Sequence, residues 1–334
     1  MDIIEYKKIE QISEIWQDFY NNNPKASPTL EYEFVRSWNR QLKQKILGFK
    51  NPKRFFVIYE NNKPQIIIPL NKVNGGYHSQ YFLDYYDVLS NKDLSLTQIA
   101  DYLNNFFNTL NCKVEFAHVN EESILFNALK DQENLEVLRT DTCVKIPIRD
   151  GENDENGYES YFNALSKNSR QNLRTSYNRL KTDNKHYNLE IINGKISKKN
   201  YKIFNKLYIQ RRVLRYKNLS GLKKLLYSIS EPILNALNNS KDVISYILKI
   251  DNKVASYVVA LKRKNMIIVP RLVIDEEFKK YSIGNMIVNE IIKKLIEENS
   301  YNHFDLALGS ENYKYVMGGK EHYNYTIIYK NKVG

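Results

Sequence analysis

Cysteine is almost missing from this chain: Cys112 and Cys143 are the two in 334 residues, and they form no CxxC pair. The five histidines are scattered along the sequence, so neither a disulfide framework nor a zinc site is expected. No apolar run approaches the roughly 18 residues that a membrane helix needs. The opening Met1-Asp2-Ile3-Ile4-Glu5 is acidic and lacks the basic-then-apolar order of a signal peptide. These absences predict a globular protein of a reducing, cytoplasmic setting. With 42% hydrophobic residues, the chain can fill the cores of two ordinary domains or one large one.

Acidic residues are scarce in one place. The first 150 residues carry 18 Lys and Arg against 20 Asp and Glu, a net −2, which leaves 32 against 18, or +14, for the remainder. Residues 161–224 hold 17 basic residues and only Asp183 and Glu190, and six of the 13 arginines fall there: Arg170, Arg174, Arg179, Arg211, Arg212 and Arg215. A block of this sign fits an anionic partner. A solvated helix face is the plainer alternative, because cations near a helix C-terminus are also favoured by its dipole.

The two halves read as copies of one plan. Val57 to Lys63 followed by Ile66 to Leu70 predicts a hairpin, and so does Ile247 to Lys253 followed by Val254 to Leu261. A helix follows each, with Ile99, Leu103, Phe106, Phe107 and Leu110 at helical spacing in the first half and Ile287, Ile291, Leu295 and Ile296 in the second. Each helix leads to a strand, Val114 to His118 and Phe304 to Leu308. The polar, glycine-flanked stretch from Asp150 to Gly157 reads as an exposed connection, which divides the chain into residues 1–150 and 151–334. Beyond it a basic helical segment over residues 158–224 is expected, interrupted near Ser166 and including a helix from Lys198 to Tyr216.

Chemistry is expected between Arg271 and Gly319. The strand Leu272-Val273-Ile274 passes through a turn that includes Lys279-Lys280-Tyr281-Ser282-Ile283-Gly284-Asn285 into a helix. A helix entered through small residues presents unpaired amides and a positive dipole end, which together can hold a diphosphate. The strand Phe304 to Leu308 then ends in Gly309-Ser310-Glu311-Asn312-Tyr313-Lys314, so an acid, a phenol and an amine reach one sheet edge.

Four places together resemble the CelD/BcsL-type acetyltransferases, a branch of the GNAT superfamily related to the FemAB-like transferases. They are Trp16 with Ser27-Pro28 and Trp38; Pro69-Leu70 with Asp84-Tyr85-Tyr86-Asp87; Leu165 to Arg174; and Phe304 to Gly309 with Tyr313-Lys314. The resemblance spans nearly the whole chain. It implies an α/β fold of two tandem GNAT-like units, each a mixed, mostly antiparallel sheet flanked by helices. It also implies acyl-CoA, acetyl-CoA first, as donor and no metal. The diphosphate turn of that superfamily, Arg/Gln-x-x-Gly-x-Gly/Ala, corresponds here to Lys279-Lys280-Tyr281-Ser282-Ile283-Gly284, with lysine and serine replacing the first two consensus residues. Lys279, Lys280, Ser282, Ile283, Gly284, Asn285 and Lys314 would then hold the donor, with Leu272, Val273 and Ile274 facing its carbonyl.

Acyl transfer to an amine needs a neutral amine, stabilisation of an oxyanion and a proton for the leaving group. Glu311 or Asp305 would serve as base, directly or through water, and Tyr313 would protonate the thiolate. Asp84 and Asp87 would hold an amino sugar's ammonium or hydroxyls, or else cap turns. Arg170 and Arg174, four apart, with Arg212 and Arg271, would grip a phosphate or carboxylate of the acceptor. The expected activity is N-acylation of an amino sugar or related polysaccharide or cell-envelope precursor. Two alternatives stay open: a FemAB-like transferase that takes an aminoacyl group from tRNA, and a noncatalytic anion-binding protein on the same fold. Peripheral contact with an anionic membrane is compatible with the basic segment.

Overall fold

A computed structural model describes residues 1–39, 52–80, 84–148, 157–215, 232–264 and 266–330. The chain divides into two compact units, one of residues 1–143 with 322–334 and one of residues 144–321. The connection expected around residues 150–157 falls largely on residues 149–156, outside the described residues. The chain's end belongs to the first unit, not the second, because strand β13 (Lys320–Tyr329) runs antiparallel to β6 (Lys113–Asn120), with Asn324 opposite Asn120 and Tyr329 opposite Val114.

In the first unit β1 (Asp2–Tyr6), β2 (Lys53–Glu60), β3 (Lys63–Val73), β4 (Gly76–Ser79), β6 and β13 lie side by side in that order, with β5 (Leu89–Ser90) paired to β3. Helices α1 (Ser13–Asn22) and α2 (Tyr32–Asn39) follow β1, and α3 (Leu96–Leu110) and α4 (Ile124–Leu129) flank β6. The spacing of Ile99, Leu103, Phe106 and Phe107 puts them on one stripe of α3, and all four are buried against Phe56, Ile58, Ile66 and Phe116 of the sheet. Ser95 starts α3 by accepting the Gln98 amide at 3.2 Å, and Asn111 stops it in the left-handed region.

The second unit takes the C-terminal part of β7 (Leu135–Pro147) and the run β12 (His303–Leu308), β11 (Met266–Ile274), β10 (Lys253–Arg263), β9 (Val243–Ile250) and β8 (Tyr187–Asn193). Its helices are α5 (Gly157–Ala164), α6 (Lys167–Thr182), α7 (Lys198–Arg215), α8 (Pro232–Asn239), α9 (Ile283–Glu298) and α10 (Asn312–Val316). The interruption expected near Ser166 is the junction of α5 and α6, where Ser166 Oγ accepts the Ser169 amide at 3.1 Å. Leu173 and Leu180 of α6 and Met286, Ile287, Ile291 and Leu295 of α9 are buried in one core, each contributing about 1.5–3 kcal/mol. Among the described residues no helix is long and apolar enough to cross a membrane.

The duplicated plan is present in backbone detail. Both hairpins turn on two consecutive left-handed residues, Asn61-Asn62 and Asp251-Asn252, as a two-residue turn that follows the strand twist requires. In each unit a third antiparallel strand is followed by a helix that ends on a left-handed asparagine, Asn111 or Asn299. The next strand then pairs in parallel with that third strand over three residues: Gly76–His78 with Lys113–Glu115, and Met266–Ile268 with His303–Asp305. Each unit is therefore a mixed, mostly antiparallel sheet flanked by helices.

Candidate active site

The site grows out of the place where β11 and β12 part. Their ladder covers Met266 to Ile268 on β11, although β11 continues to Ile274 and β12 to Leu308. Pro270 stands just beyond the last pair and has no N–H with which to extend the ladder. Opposite Val269 and Pro270 the pairing with β10 also shifts register, between Val259 and Leu261. Beyond this bulge the Asp275 amide donates to the Ala255 carbonyl at 2.8 Å. Alternation then turns Val273 toward β10 and aims the amides and carbonyls of Leu272 and Ile274 into the gap on the β12 side.

The strand runs directly into the basic turn. Asp275 caps a 3₁₀ helix, Glu276–Tyr281, by accepting the Glu277 amide at 3.1 Å. Ser282 then takes φ 51° and ψ 45°, the left-handed conformation in which a glycine stands in the superfamily pattern, at a cost of about 1–2 kcal/mol. It starts α9 without any side-chain cap. The Asn285 and Met286 amides turn back to the Ser282 carbonyl at 3.0 and 3.2 Å, so Ile283 and Gly284 provide the first amides at this end. Ile283 is buried, and Gly284 lies against Ile274, where an added Cβ would meet the Cγ2 at 4.0 Å. The amino end of α9 thus adjoins the open edge of β11.

The two lysines of the turn differ. Lys279 is exposed and stands 3.3 Å from Glu276 of its own turn. Lys280 is held 2.6 Å from Asp183 at the end of α6, and Arg179 donates to the Lys280 carbonyl at 2.8 Å. Tyr281 donates to the same Asp183 oxygen at 2.6 Å. An anion at this turn would meet Lys279 directly and would compete with Asp183 for Lys280.

Past β12 the chain folds back over itself. Gly309 takes φ 103°, which favours glycine, and its Cα lies so close to the Glu311 carboxylate that an added Cβ would meet it at 2.7 Å and push that side chain aside. Glu311 heads α10 and lies 3.1 Å from the Lys314 ammonium. Burial works to raise the Glu311 pKa, but Lys314, a backbone amide and Arg211 outweigh it and hold the carboxyl below its ordinary value. Tyr313 packs against the unit's apolar core, and its pKa is pushed up to about 12 by burial and by the Glu311 charge, with Arg211 opposing. The phenol therefore keeps its proton at neutral pH.

Several expected roles change. Lys314 is 2% exposed, and its ammonium donates to the Ala307, Leu308 and Gly309 carbonyls at 3.1, 2.8 and 2.9 Å besides pairing with Glu311. Its three protons are committed to closing the end of β12, so it offers nothing to a donor phosphate. Asp305, buried in β12, accepts the Ala307 amide at 2.7 Å and so fixes the left-handed Ala307 instead of standing free as a base. Arg170 donates to the Asn163 and Leu165 carbonyls at 2.6 and 2.5 Å, closing the end of α5, while Arg174 stands over the Phe162 ring. They do not form a pair that grips one anion. Arg271 donates to the Pro270 carbonyl at 2.6 Å, and the Arg212 side chain lies outside the described residues.

Asp84 and Asp87 belong to the first unit, and both are buried. Asp87 accepts the Val88, Ile124 and Leu125 amides at 2.9, 3.1 and 2.9 Å, two of them at the start of α4. The capping alternative thus holds for Asp87. Burial raises its pKa to about 6 against the three amides. The Asp84 carbonyl accepts from Asn324 at 2.6 Å.

One site residue carried no role in the sequence reading. Arg211, on the last turns of α7, donates through Nη1 to the Leu272 carbonyl at 2.7 Å, one of the groups that face the gap. Its signal in the sequence was its place on a helix without acidic residues.

Residues 167–315 match the family model described as an acetyltransferase (GNAT) domain. No curated protein matches the chain. Among solved structures, FemX is similar at TM-score 0.62 and 11% identity, over 99% of this chain and 97% of its own. A conserved protein of unknown function from Bacteroides thetaiotaomicron VPI-5482 is similar at 0.60 and 13%, over 98% and 100%. L-PGS from Bacillus licheniformis is similar at 0.59 and 12%, over 96% and 92%. At such identities these likenesses speak for the fold.

Proposed function

We propose that this acyltransferase, whose GNAT acetyltransferase domain occupies residues 167–315, takes acyl-CoA, acetyl-CoA first, and acylates the amino group of an amino sugar or related cell-envelope precursor in the cytoplasm. One observation carries the reading: β11 leaves β12 after Ile268, and among the described residues no strand covers the Leu272 and Ile274 edge beside the uncapped start of α9. An extended donor can complete that edge as a strand would. Its diphosphate would lie at the Ile283 and Gly284 amides, with Lys279 adding charge. The gap-facing amides would then hold the donor carbonyl and the oxyanion that forms on it.

Tyr313, protonated at neutral pH, is suited to give its proton to the departing thiolate. Glu311 is ionised but held low by Lys314, which makes it a weak base, so the amine's proton would leave through water that Glu311 orders. Calorimetry with CoA and acetyl-CoA, followed by mass spectrometry of amino-sugar acceptors, tests this. Micromolar CoA binding with acetyl transfer is expected, and neither binding nor transfer would reject it.

A second reading, an aminoacyl-tRNA donor, is favoured by α6 and α7, which carry five and seven basic residues and no acidic one. It predicts RNA binding whose affinity falls steeply with salt as counterions are released. A CoA complex with no measurable RNA affinity excludes it.

A further inference from the structure

The four-residue spacing of Arg170 and Arg174 suggests a shared grip on an acceptor's anion, but Arg170 is bonded to the Asn163 and Leu165 carbonyls and Arg174 stands over the Phe162 ring. Arg211 is in a different position. Its bond to Leu272 uses one of the five N–H donors of a guanidinium, and among the described residues no carboxylate lies at ion-pair distance from it. The side chain is exposed, and its charge reaches Glu311 and Tyr313, favouring the ionised form of each. It therefore holds the Leu272 edge while lying within electrostatic reach of Glu311 and Tyr313. Among the other described cations that border this region, Lys314 is held by three carbonyls and Glu311, Lys280 by Asp183, and Arg271 bonds the Pro270 carbonyl, while Lys279 stands at the start of α9, the place assigned to the diphosphate.

We propose that Arg211 is the specificity residue for the acceptor, binding with its free edge a carboxylate or phosphate carried close to the amine that is acylated. This inference rests on the acyltransferase reading. A planar fork of donors matches such oxyanions in two parallel bonds, which a lysine ammonium does not reproduce. The donor's diphosphate would have its own place at the start of α9, beyond the 3₁₀ helix Glu276–Tyr281, so Arg211 is left for the acceptor.

The test uses the full chain and its R211Q and R211K variants with three probes: glucosamine, glucosamine 6-phosphate and muramic acid, an amino sugar with a carboxylate. Direct binding is measured calorimetrically with and without CoA, and KM and kcat are measured for each acceptor with acetyl-CoA. The expected result is at least about a tenfold preference of the unaltered protein for one anionic probe over glucosamine. The preference should collapse in R211Q and fall partway in R211K, through KM more than kcat, with CoA affinity unchanged. Phosphate and carboxylate recognition are told apart by which anionic probe is favoured. Equal treatment of charged and neutral probes, no binding of any probe, or a loss of CoA affinity in R211Q matching the loss for the anionic probe would each overturn the proposal. R211K, which keeps the charge, decides the matter if R211Q does not fold. Failure of CoA to bind would count against the acyltransferase reading alone, because probe binding is also read without CoA.

Discussion

Replacing Lys314 by methionine separates two meanings of one lysine. A phosphate ligand would be exposed, and its loss would weaken donor binding while leaving the fold intact. Lys314 is buried, with its ammonium 2.8–3.1 Å from three carbonyls and a carboxylate. Methionine fills similar volume but strands those carbonyls, and the one on Ala307 is inside the protein. A bond from a charged donor contributes about 1.5–3 kcal/mol, and breaking a buried pair costs about 3–5 kcal/mol. Glu311 is half exposed and the Leu308 and Gly309 carbonyls are partly so, and water recovers some of the loss. A net cost of about 3–4 kcal/mol follows, or about 6–16 °C in Tm for a unit of this size. Urea and thermal unfolding of K314M beside the parent protein, with CoA affinity measured on the folded fraction below the transition, give both readouts. A Tm within about 2 °C of the parent together with weaker CoA binding would refute the structural reading.

Y313F should lower kcat by about 100-fold, at the low end for a general acid because a thiolate is a good leaving group, with KM little changed. Since burial holds the Tyr313 pKa near 12, the rate should not fall between pH 7 and 10 from loss of its proton; a tyrosine-dependent decline there, absent in Y313F, would contradict that. Asp87 has a folded pKa of about 6 against an ordinary 3.8. A carboxyl whose pKa rises on folding contributes stability that is full below about 3.8 and lost as pH climbs through 6, about 3 kcal/mol in all. D87N should flatten that slope in urea midpoints taken from pH 4 to 7, and parallel profiles for the two proteins would disprove it. S282G removes left-handed strain but adds freedom to the unfolded chain, so a net gain of up to about 1 kcal/mol in denaturant unfolding is expected. A loss of stability would show that the serine makes contacts which outweigh its backbone strain.

What could be read in advance was what is local. Asn61-Asn62 and Asp251-Asn252 name their turns because two left-handed residues in succession are turn chemistry alone. The α3 and α9 stripes follow from periodicity, and Ser166 announces a helix start. The roles of charged residues depend on what lies far off in sequence. Lys314 looks solvated until β12 brings three carbonyls to its tip, and Asp87 looks like a ligand until the α4 amides, 37 and 38 residues on, close over it. Arg211 meets Leu272 across 61 residues because α7 packs on β11. Pro270 is the exception: a proline inside an apolar strand signals that one ladder must stop, and here it marks the edge of the gap.

The two copies of the plan show why the gap is open in one unit and filled in the other. In the first unit the strands part as they do in the second, after His78 and Glu115. There the chain fills its own opening: Ser79 Oγ accepts the Ala117 amide at 3.0 Å, Tyr86 donates its amide to the His118 carbonyl at 2.8 Å, and Tyr86 bridges to Val119 as a parallel pair. The Tyr86 ring stacks on Phe116 and its hydroxyl donates to the Pro69 carbonyl at 2.9 Å, so side chain and backbone both hold the plug. A donor there would have to displace buried hydrogen bonds that it could only replace one for one, with no net gain from the exchange. In the second unit the Leu272 and Ile274 edge has Arg211 on one carbonyl and no strand laid along it among the described residues, so a guest adds bonds where the chain has left them unmade. The same backbone plan thus leaves one opening filled by the chain's own residues 84–88 and, among the described residues, the other without a strand along its edge.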